Sequence, residues 1–595
     1  MITGISIENF KGIRERVTLD LRPITLLFGA NSAGKSTILH ALHYAREVFE
    51  RHNLNADQTI AGGKYIDLGG FQRMLHGGDH GPNSEGNRGI ILEFDVAAGE
   101  KDLADANLNY SMITSILNED GDFPRLDLES EVSGDRWLSG VTSIQIRLGI
   151  LYSIVERQPY VSDLAISFNG ERFAELTASS NLRGVAISRL NLAHPHLRSV
   201  GQFYQDRSDV EQHELNGEGG IANGDVNQQS LLQRLAEYCD TFLRYESTGP
   251  LQVINLHDAL PSSEQTLRLL SPEFTVLPVA GAKRSFMLSG TAGDREVDIA
   301  DITRMISGHD LSGQLELILS RLIVGPCRLL CDCLKDFRYL GPLRETPARV
   351  YYPPKFPDPS RWSSGLGAWD SLQNGPDELV DAVGQWLGDE SHLNAGCTLE
   401  RRSYLELDAA DPIVRKLLNR QAFDDVEEGE GLDLSKVPMK SRIVIVSGNS
   451  DAELRPHDVG IGISQVVPVI VTALDGEERL LAIEQPELHI HPRLQAAIAD
   501  LFIESIHKNK HRFIIETHSE HLILRLLRRI RETEKRTAPL DRELRTDELG
   551  IYYLKQENGS TTASRIDVDV KGEFIQPWPD DFFEIDFFER FPDAR

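Results

Sequence analysis

The string Gly29-Ala30-Asn31-Ser32-Ala33-Gly34-Lys35-Ser36 has the spacing G-x-x-x-x-G-K-[ST], and it is followed by Thr37. Glycines there let successive backbone N–H groups turn toward one anion, and a helix N-terminus directly behind them adds its dipole. This is the chemistry of a loop that cradles phosphates. Lys35 is expected to reach the β- and γ-phosphates of a nucleoside triphosphate, and Ser36 to ligate Mg²⁺. Asn31, Ser32, Ala33, Gly34 and Thr37 complete the expected ATP-binding loop.

A second string, Leu480-Leu481-Ala482-Ile483-Glu484-Gln485-Pro486-Glu487, is an apolar run that ends in acids. Such an ending suits a carboxylate held beside Mg²⁺ and its water, and Glu484 takes that place. Downstream, Arg512-Phe513-Ile514-Ile515-Glu516-Thr517-His518-Ser519 is another apolar run, with His518 placed to hydrogen-bond a γ-phosphate. Between the phosphate loop and the acids lies Asp458-Val459-Gly460-Ile461-Gly462-Ile463-Ser464-Gln465, a glycine- and serine-rich start to an apolar helix. Since one chain already has a phosphate loop, this second helix tip is expected to serve the ATP of another copy. Pro468 is expected in the first turn of that helix, where its missing N–H does no harm.

The elements that must hold these groups follow from periodicity. Residues 24–28 read as a strand, and Ile38, Leu39, Ala41 and Leu42 give helical spacing over 36–50. The opening residues 5–13 and 17–21 alternate as strands, and 90–96 returns as a strand. The expected fold is α/β: an antiparallel β subdomain joined to a mainly parallel sheet with flanking helices, with an inserted α+β lobe. The expected division is 1–100 for the first part of the head, 101–334 for the inserted, partly helical lobe, and 335–595 for the remainder. A polar stretch over 211–230, a Pro-rich loop over 352–357 and an acidic loop over 424–433 read as solvated connections.

The chain has 595 residues, long enough for more than one core, and a formal net charge of −29. That charge opposes non-specific attraction to nucleic acid, so any contact with DNA needs a local basic patch. The candidate is the helix after Ser519, with Arg525, Arg528, Arg529, Arg531, Lys535 and Arg536; a solvated helix face is the alternative. Of the five cysteines, Cys327, Cys331 and Cys333 cluster without a nearby histidine, which favours buried thiols on a helix over a metal site. The start lacks the basic and apolar regions of a signal peptide, and no apolar run reaches about 18 residues. A cytoplasmic protein without a membrane span is expected.

Taken in order, Asn9-Phe10-Lys11, the phosphate loop, the Gly/Ser helix start, Glu484-Gln485-Pro486-Glu487-Leu488-His489-Ile490-His491-Pro492 and Glu516-Thr517-His518-Ser519 resemble the ABC-type ATPase heads of the SMC, RecF and OLD group. The pattern is most similar to stand-alone bacterial ATPases of that group, several of which belong to antiphage defence systems. Residues 339–344 and the aromatic, acidic segment with Trp578, Pro579, Phe582 and Phe583 share in the resemblance, which leaves the inserted lobe uncovered. The resemblance implies a homodimer that sandwiches two ATP molecules. Lys35, Ser36, Glu484 and His518 would act in cis, Gly460, Gly462, Ser464 and Gln465 in trans, and 489–492 at the dimer interface. Gln72 is a candidate Q-loop ligand of the metal, or an ordinary loop amide.

One departure bears on rate. The group's catalytic glutamate aligns with Gln485, whose amide cannot take a proton from attacking water; Glu487 is the candidate replacement. Slow hydrolysis and a long-lived ATP-bound dimer are therefore expected, with a separate effector such as a nuclease as partner. Two alternatives remain open: an OLD-type DNA nuclease with a metal site near Asp567 and Asp569, and a transporter ATPase.

Overall fold

The computed structural model describes residues 1–77, 89–97, 141–178, 185–191, 285–290, 293–298, 325–349, 351–408, 439–448 and 452–579, with a few isolated positions between them. The polar stretch 211–230, the acidic loop 424–433 and the phenylalanines from Phe582 onward lie outside the described residues, as do Leu315 and Ile318.

The first strands are β1 (Ile2–Glu8), β2 (Val17–Asp20), β3 (Ile24–Gly29) and β4 (Ile90–Ala97). β1 pairs antiparallel with both β2 and β4. β5 (Ser143–Ser153), β6 (Gln158–Phe168), β7 (Glu171–Ala178), β8 (Val185–Leu190), β9 (Ser285–Gly290) and β10 (Gly293–Asp298) continue the same sheet outward from β4. The described strands of the segment read as an inserted lobe thus hydrogen-bond directly onto the head. Alternation drives this: Ile144, Ile146, Leu148 and Ile150 on β5 all point into the core that Ile5 and Ile7 share.

The second sheet has six strands in the order β11-β15-β16-β3-β17-β18. β11 (Arg338–Leu340), β15 (Leu480–Glu484), β16 (Arg512–Glu516), β3 and β17 (Leu549–Glu557) run parallel, and β18 (Ser560–Arg565) closes the edge antiparallel. The expected mixture of an antiparallel and a mainly parallel sheet is what the chain forms. β3, β15 and β16 are apolar on both faces, as strands buried between two layers must be. Their alternate residues sort cleanly. Leu27, Leu480, Ala482 and Ile514 face the core shared with the first sheet and α1 (Lys35–Arg51). Leu26, Leu481, Ile483, Phe513 and Ile515 face a second core.

That second core is covered by α2 (Leu366–Asn374), α3 (Asp377–Gly388), α4 (Ile461–Leu474), α5 (Pro492–Lys508) and α6 (Glu520–Glu534). A small antiparallel sheet, β12 (Cys397–Leu405), β13 (Met439–Ser447) and β14 (Glu453–Leu454), packs under α3 and leads into α4. Pro468 lies in the middle of α4, not in its first turn, because the glycines at 460 and 462 are already part of the helix start. The helix tolerates it with the Thr472 hydroxyl donating to the Pro468 carbonyl at 2.7 Å.

Two other expectations resolve here. Cys327 and Cys331 are buried on a helical stretch, and burial pushes their thiols up to about 12 and about 11. The basic helix α6 is partly paired within the chain. Arg525 and Arg529 both bind the buried Asp500, Arg528 and Arg529 bind Glu532, and Arg531 donates to the carbonyls of Lys571 and Gly572. Of the candidate DNA patch, Arg525 and Arg529 are thus turned to a buried acid. Among the described residues, no helix is long and apolar enough to cross a membrane.

Candidate functional site

Parallel strands end together, and ligands of open α/β sheets gather beyond their carboxyl ends. Beyond β3 lies the phosphate loop, beyond β16 lie Thr517 and His518, beyond β15 lie Gln485 to Glu487, and beyond β11 lies Arg344. The register places Glu484 directly beside Glu516 on neighbouring strands, and Glu516 beside Leu27 of β3.

The loop's two outer glycines are required by space as well as by backbone angle. Gly29 has φ +145° and a Cβ there would sit 2.2 Å from the Leu554 carbonyl oxygen; Gly34 has φ +97° and a Cβ would meet Thr561 Oγ1 at 2.3 Å. Asn31 and Ser32 are exposed, Ala33 and Thr37 buried. No side chain caps the start of α1, where the Thr37 N–H donates to the Gly34 carbonyl at 3.0 Å and the helix N-terminus can face an anion. Lys35 is buried, and its ammonium donates to the loop's own Gly29 and Ala30 carbonyls at 3.1 Å each.

Glu516 is the residue that sequence reading passed over. The Ser36 hydroxyl donates to Glu516 Oε2 at 3.0 Å, and Lys35 Nζ lies 3.7 Å from Glu516 Oε1. Glu484 instead accepts from the Tyr339 hydroxyl at 2.8 Å. Burial, and then the charge of Glu516, push the Glu484 carboxyl up to about 7. A signal was available: residues 480–484 and 512–516 are both five-residue apolar strands that end in glutamate.

Glu487 joins two loops. Thr517 Oγ1 donates to Glu487 Oε2 at 2.8 Å and the His518 backbone N–H to Oε1 at 2.7 Å, while burial raises its carboxyl above the ordinary range. Both oxygens are engaged, so in this arrangement Glu487 holds the His518 loop rather than a free water. His518 directly precedes Ser519, the N-cap of α6, whose hydroxyl accepts from Leu522 N. The imidazole is kept neutral by burial and by Lys35, and its Nε2 is buried without a partner. Gln485 takes φ +45°, a conformation uncommon outside glycine, fixed by its N–H donating to the Glu516 carbonyl at 2.7 Å.

Arg344 ties this acidic turn to α4. Its Nη2 donates to the carbonyls of Glu484 at 2.7 Å and Gln485 at 3.2 Å. Its backbone N–H and C=O are both met by the Gln465 amide, at 3.2 and 2.6 Å. Gln465 is thus buried and committed within its own chain, and Ser464 is buried with its hydroxyl on the Ile461 carbonyl. Gly460 and Ile461, at the tip of α4, are exposed, and a Cβ on Gly460 would meet nothing within 4 Å. Gly462 abuts the His489 carbonyl, and His489, His491 and Pro492 are exposed beside it. Gln72 sits exposed on the helical turn Phe71–Met74, and among the described residues no hydrogen bond joins it to Ser36 or Glu484.

Residues 1–70 and 402–523 match the AAA_15 family, described as AAA ATPase domain. Over those residues the chain is similar to AAA ATPase domains. Its two matched stretches contain the phosphate loop and the acidic and histidine strands, the parts that converge here. No curated protein matches the chain. Solved SMC heads superpose loosely: one bound to the C-terminal winged-helix domain of ScpA has 10% identity and TM-score 0.34, covering 95% of this chain and 98% of that one. The head of Thermotoga maritima SMC has 8% identity and TM-score 0.33, covering 95% and 99%. A Pyrococcus furiosus head bound to the C-terminal domain of ScpA has 10% identity and TM-score 0.33, covering 95% and 96%.

The residues present fit ATP with Mg²⁺. The uncapped helix start, the lysine held by loop carbonyls and the unpartnered His518 Nε2 all await an anion, and Ser36 with Glu484 and Glu516 offers hard oxygen ligands. Among the described residues no three His, Cys, Asp or Glu side chains form a metal site by themselves. A cation completed by phosphate oxygens and water needs none.

Proposed function

We propose that the chain binds and slowly hydrolyses MgATP, and that two copies close around the nucleotides, each covering the other's phosphate loop with the tip of α4. The observation that carries this is the pairing of a complete phosphate site, built from β3, β15 and β16, with a bare helix tip at Gly460 and Ile461 on the same chain.

Lys35 would leave its loop carbonyls for the β- and γ-phosphates, and His518 would meet the γ-phosphate from the neighbouring strand. Mg²⁺, when bound, neutralises charge on the phosphate oxygens. Gln485 orients a water without taking its proton, and Glu487 is engaged by Thr517 and His518, so turnover is slow and the closed dimer lasts. Glu487 serves as base only if that loop contact opens.

Closure is coupled to a regulatory output, because ATP shifts the equilibrium only as far as it binds the closed state more tightly. The resemblance to stand-alone bacterial ATPases supports a cytoplasmic sensor in DNA-related antiphage defence, acting with a separate effector such as a nuclease. Lys35→Ala tests the core of the proposal: ATP affinity should fall by about 10- to 100-fold, the loss of charge-assisted hydrogen bonds, and ATP-dependent dimerisation should go with it. A variant that dimerises with ATP as the wild type does, measured by light scattering, refutes it.

A further inference from the structure

We infer that Glu516 is a positioning residue for the divalent cation, orienting Ser36 toward it and supplying a second negative charge beside Glu484. This rests on the nucleotide reading above.

Three observations meet at this carboxylate. First, Glu484 and Glu516 are in register on adjacent parallel strands and both are buried, so two carboxyl groups stand side by side. Such pairs are unfavourable unless a cation lies between or beside them. Second, the cations on hand are shared unevenly. Lys35 pairs with Glu516 at 3.7 Å, while Arg344 donates to the backbone carbonyls of Glu484 and Gln485 and to neither carboxylate. Third, the Ser36 hydroxyl gives its proton to Glu516 Oε2 at 3.0 Å. A hydroxyl that donates to a carboxylate keeps its lone pairs for a metal, and such outer partners fix the orientation of the inner ligand.

Binding of the triphosphate sharpens the conflict. Once the Lys35 ammonium moves to the phosphates, Glu516 loses its ion-pair partner while it and Glu484 face a polyanion. Triphosphate alone is then repelled, whereas triphosphate with a divalent cation is held from both sides. Metal selectivity is thus built into the apolar strand endings, and nucleotide without metal enters poorly.

The sign of one substitution separates this role from a merely structural one. Glu516→Gln keeps an acceptor for Ser36 and removes the charge. The full chain is titrated with a fluorescent ATP analogue in Mg²⁺ and in excess EDTA, and with Mn²⁺ and ATP followed by electron paramagnetic resonance. The expected result is that metal-free analogue binds the variant at least as tightly as the wild type, while the gain in affinity from Mg²⁺ shrinks by about tenfold or more and bound Mn²⁺ weakens in parallel. Glu516→Asp, which keeps the charge, retains most of the metal gain. An unchanged metal gain in Glu516→Gln overturns the inference. So does an equal loss of binding with and without metal in a folded variant, since that marks Glu516 as support for the loop alone. Wild-type protein that binds no analogue under either condition instead refutes the nucleotide reading itself.

Discussion

Two helix N-termini on this chain look alike in sequence and differ in surroundings. α1 begins at Gly34 and α4 at Gly460, and neither start is capped by a side chain. Around α1 the chain supplies everything in cis: a lysine, a hydroxyl, two acids in register and a neutral histidine. Around α4 lie the exposed His489, His491 and Pro492, and the helix turns Ser464 onto the Ile461 carbonyl and Gln465 inward to brace Arg344. One tip is surrounded by charged side chains of its own chain and the other is exposed. The difference teaches that glycine and serine at a helix start report access for an anion, while the charge to hold it must come from other strands or from another molecule.

The largest way to sharpen that contrast is chemical. Gln485→Glu places a carboxylate able to take a proton from the attacking water, and steady-state hydrolysis should rise by about two to four orders of magnitude. An unchanged rate would mean that the slow step lies elsewhere. At the other tip, Ile461→Glu places a charge on an exposed position that the proposal sets against a neighbour's phosphates. ATP-dependent dimerisation should be lost while binding of ATP to the monomer stays within about twofold, as for other surface changes. Loss of both together would erase the distinction between the two tips.

The smallest effect is on stability and depends on pH. Folded Glu484 takes up its proton at about 7, against an ordinary value of 4.5. Between these pH values the folded state binds more protons than the unfolded state, so the contribution is fully present below about 4.5 and is lost as pH rises through 7. Glu484→Gln removes the buried charge. It should stabilise nucleotide-free protein at pH 8 by an amount of the order of a few kcal/mol, seen as a higher melting temperature, and leave stability nearly unchanged at pH 4.5. A variant destabilised equally at both pH values would show that its bond to Tyr339, rather than its charge, dominates.

What could be read in advance was local. The phosphate loop declares itself within eight residues, and its strand and helix flank it directly. Glu516 was passed over because its importance comes from register: only the pairing of β15 with β16 brings it beside Glu484, and only β3 brings Ser36 to it. Gln465 was assigned to a neighbour for the same reason, since Arg344 is more than a hundred positions away in the chain. The arginines of α6 read as a surface patch because Asp500, their buried partner, lies on another helix. The stretch after residue 143 reads as an inserted, partly helical lobe, because nothing local shows that its strands extend the sheet begun by β1.

The position of β3 has a consequence for how this molecule comes into being. The strand that carries the phosphate loop is wedged between β16 and β17, and Thr561 closes over Gly34 from behind. During synthesis the motif emerges early, yet its two flanking strands arrive some five hundred residues later. Until then β3 is an unpaired apolar edge, the kind of surface that invites aggregation. ATP competence is consequently a late event on the ribosome, and a chain that stops short of residue 549 would display the motif without the scaffold that gives it a shape.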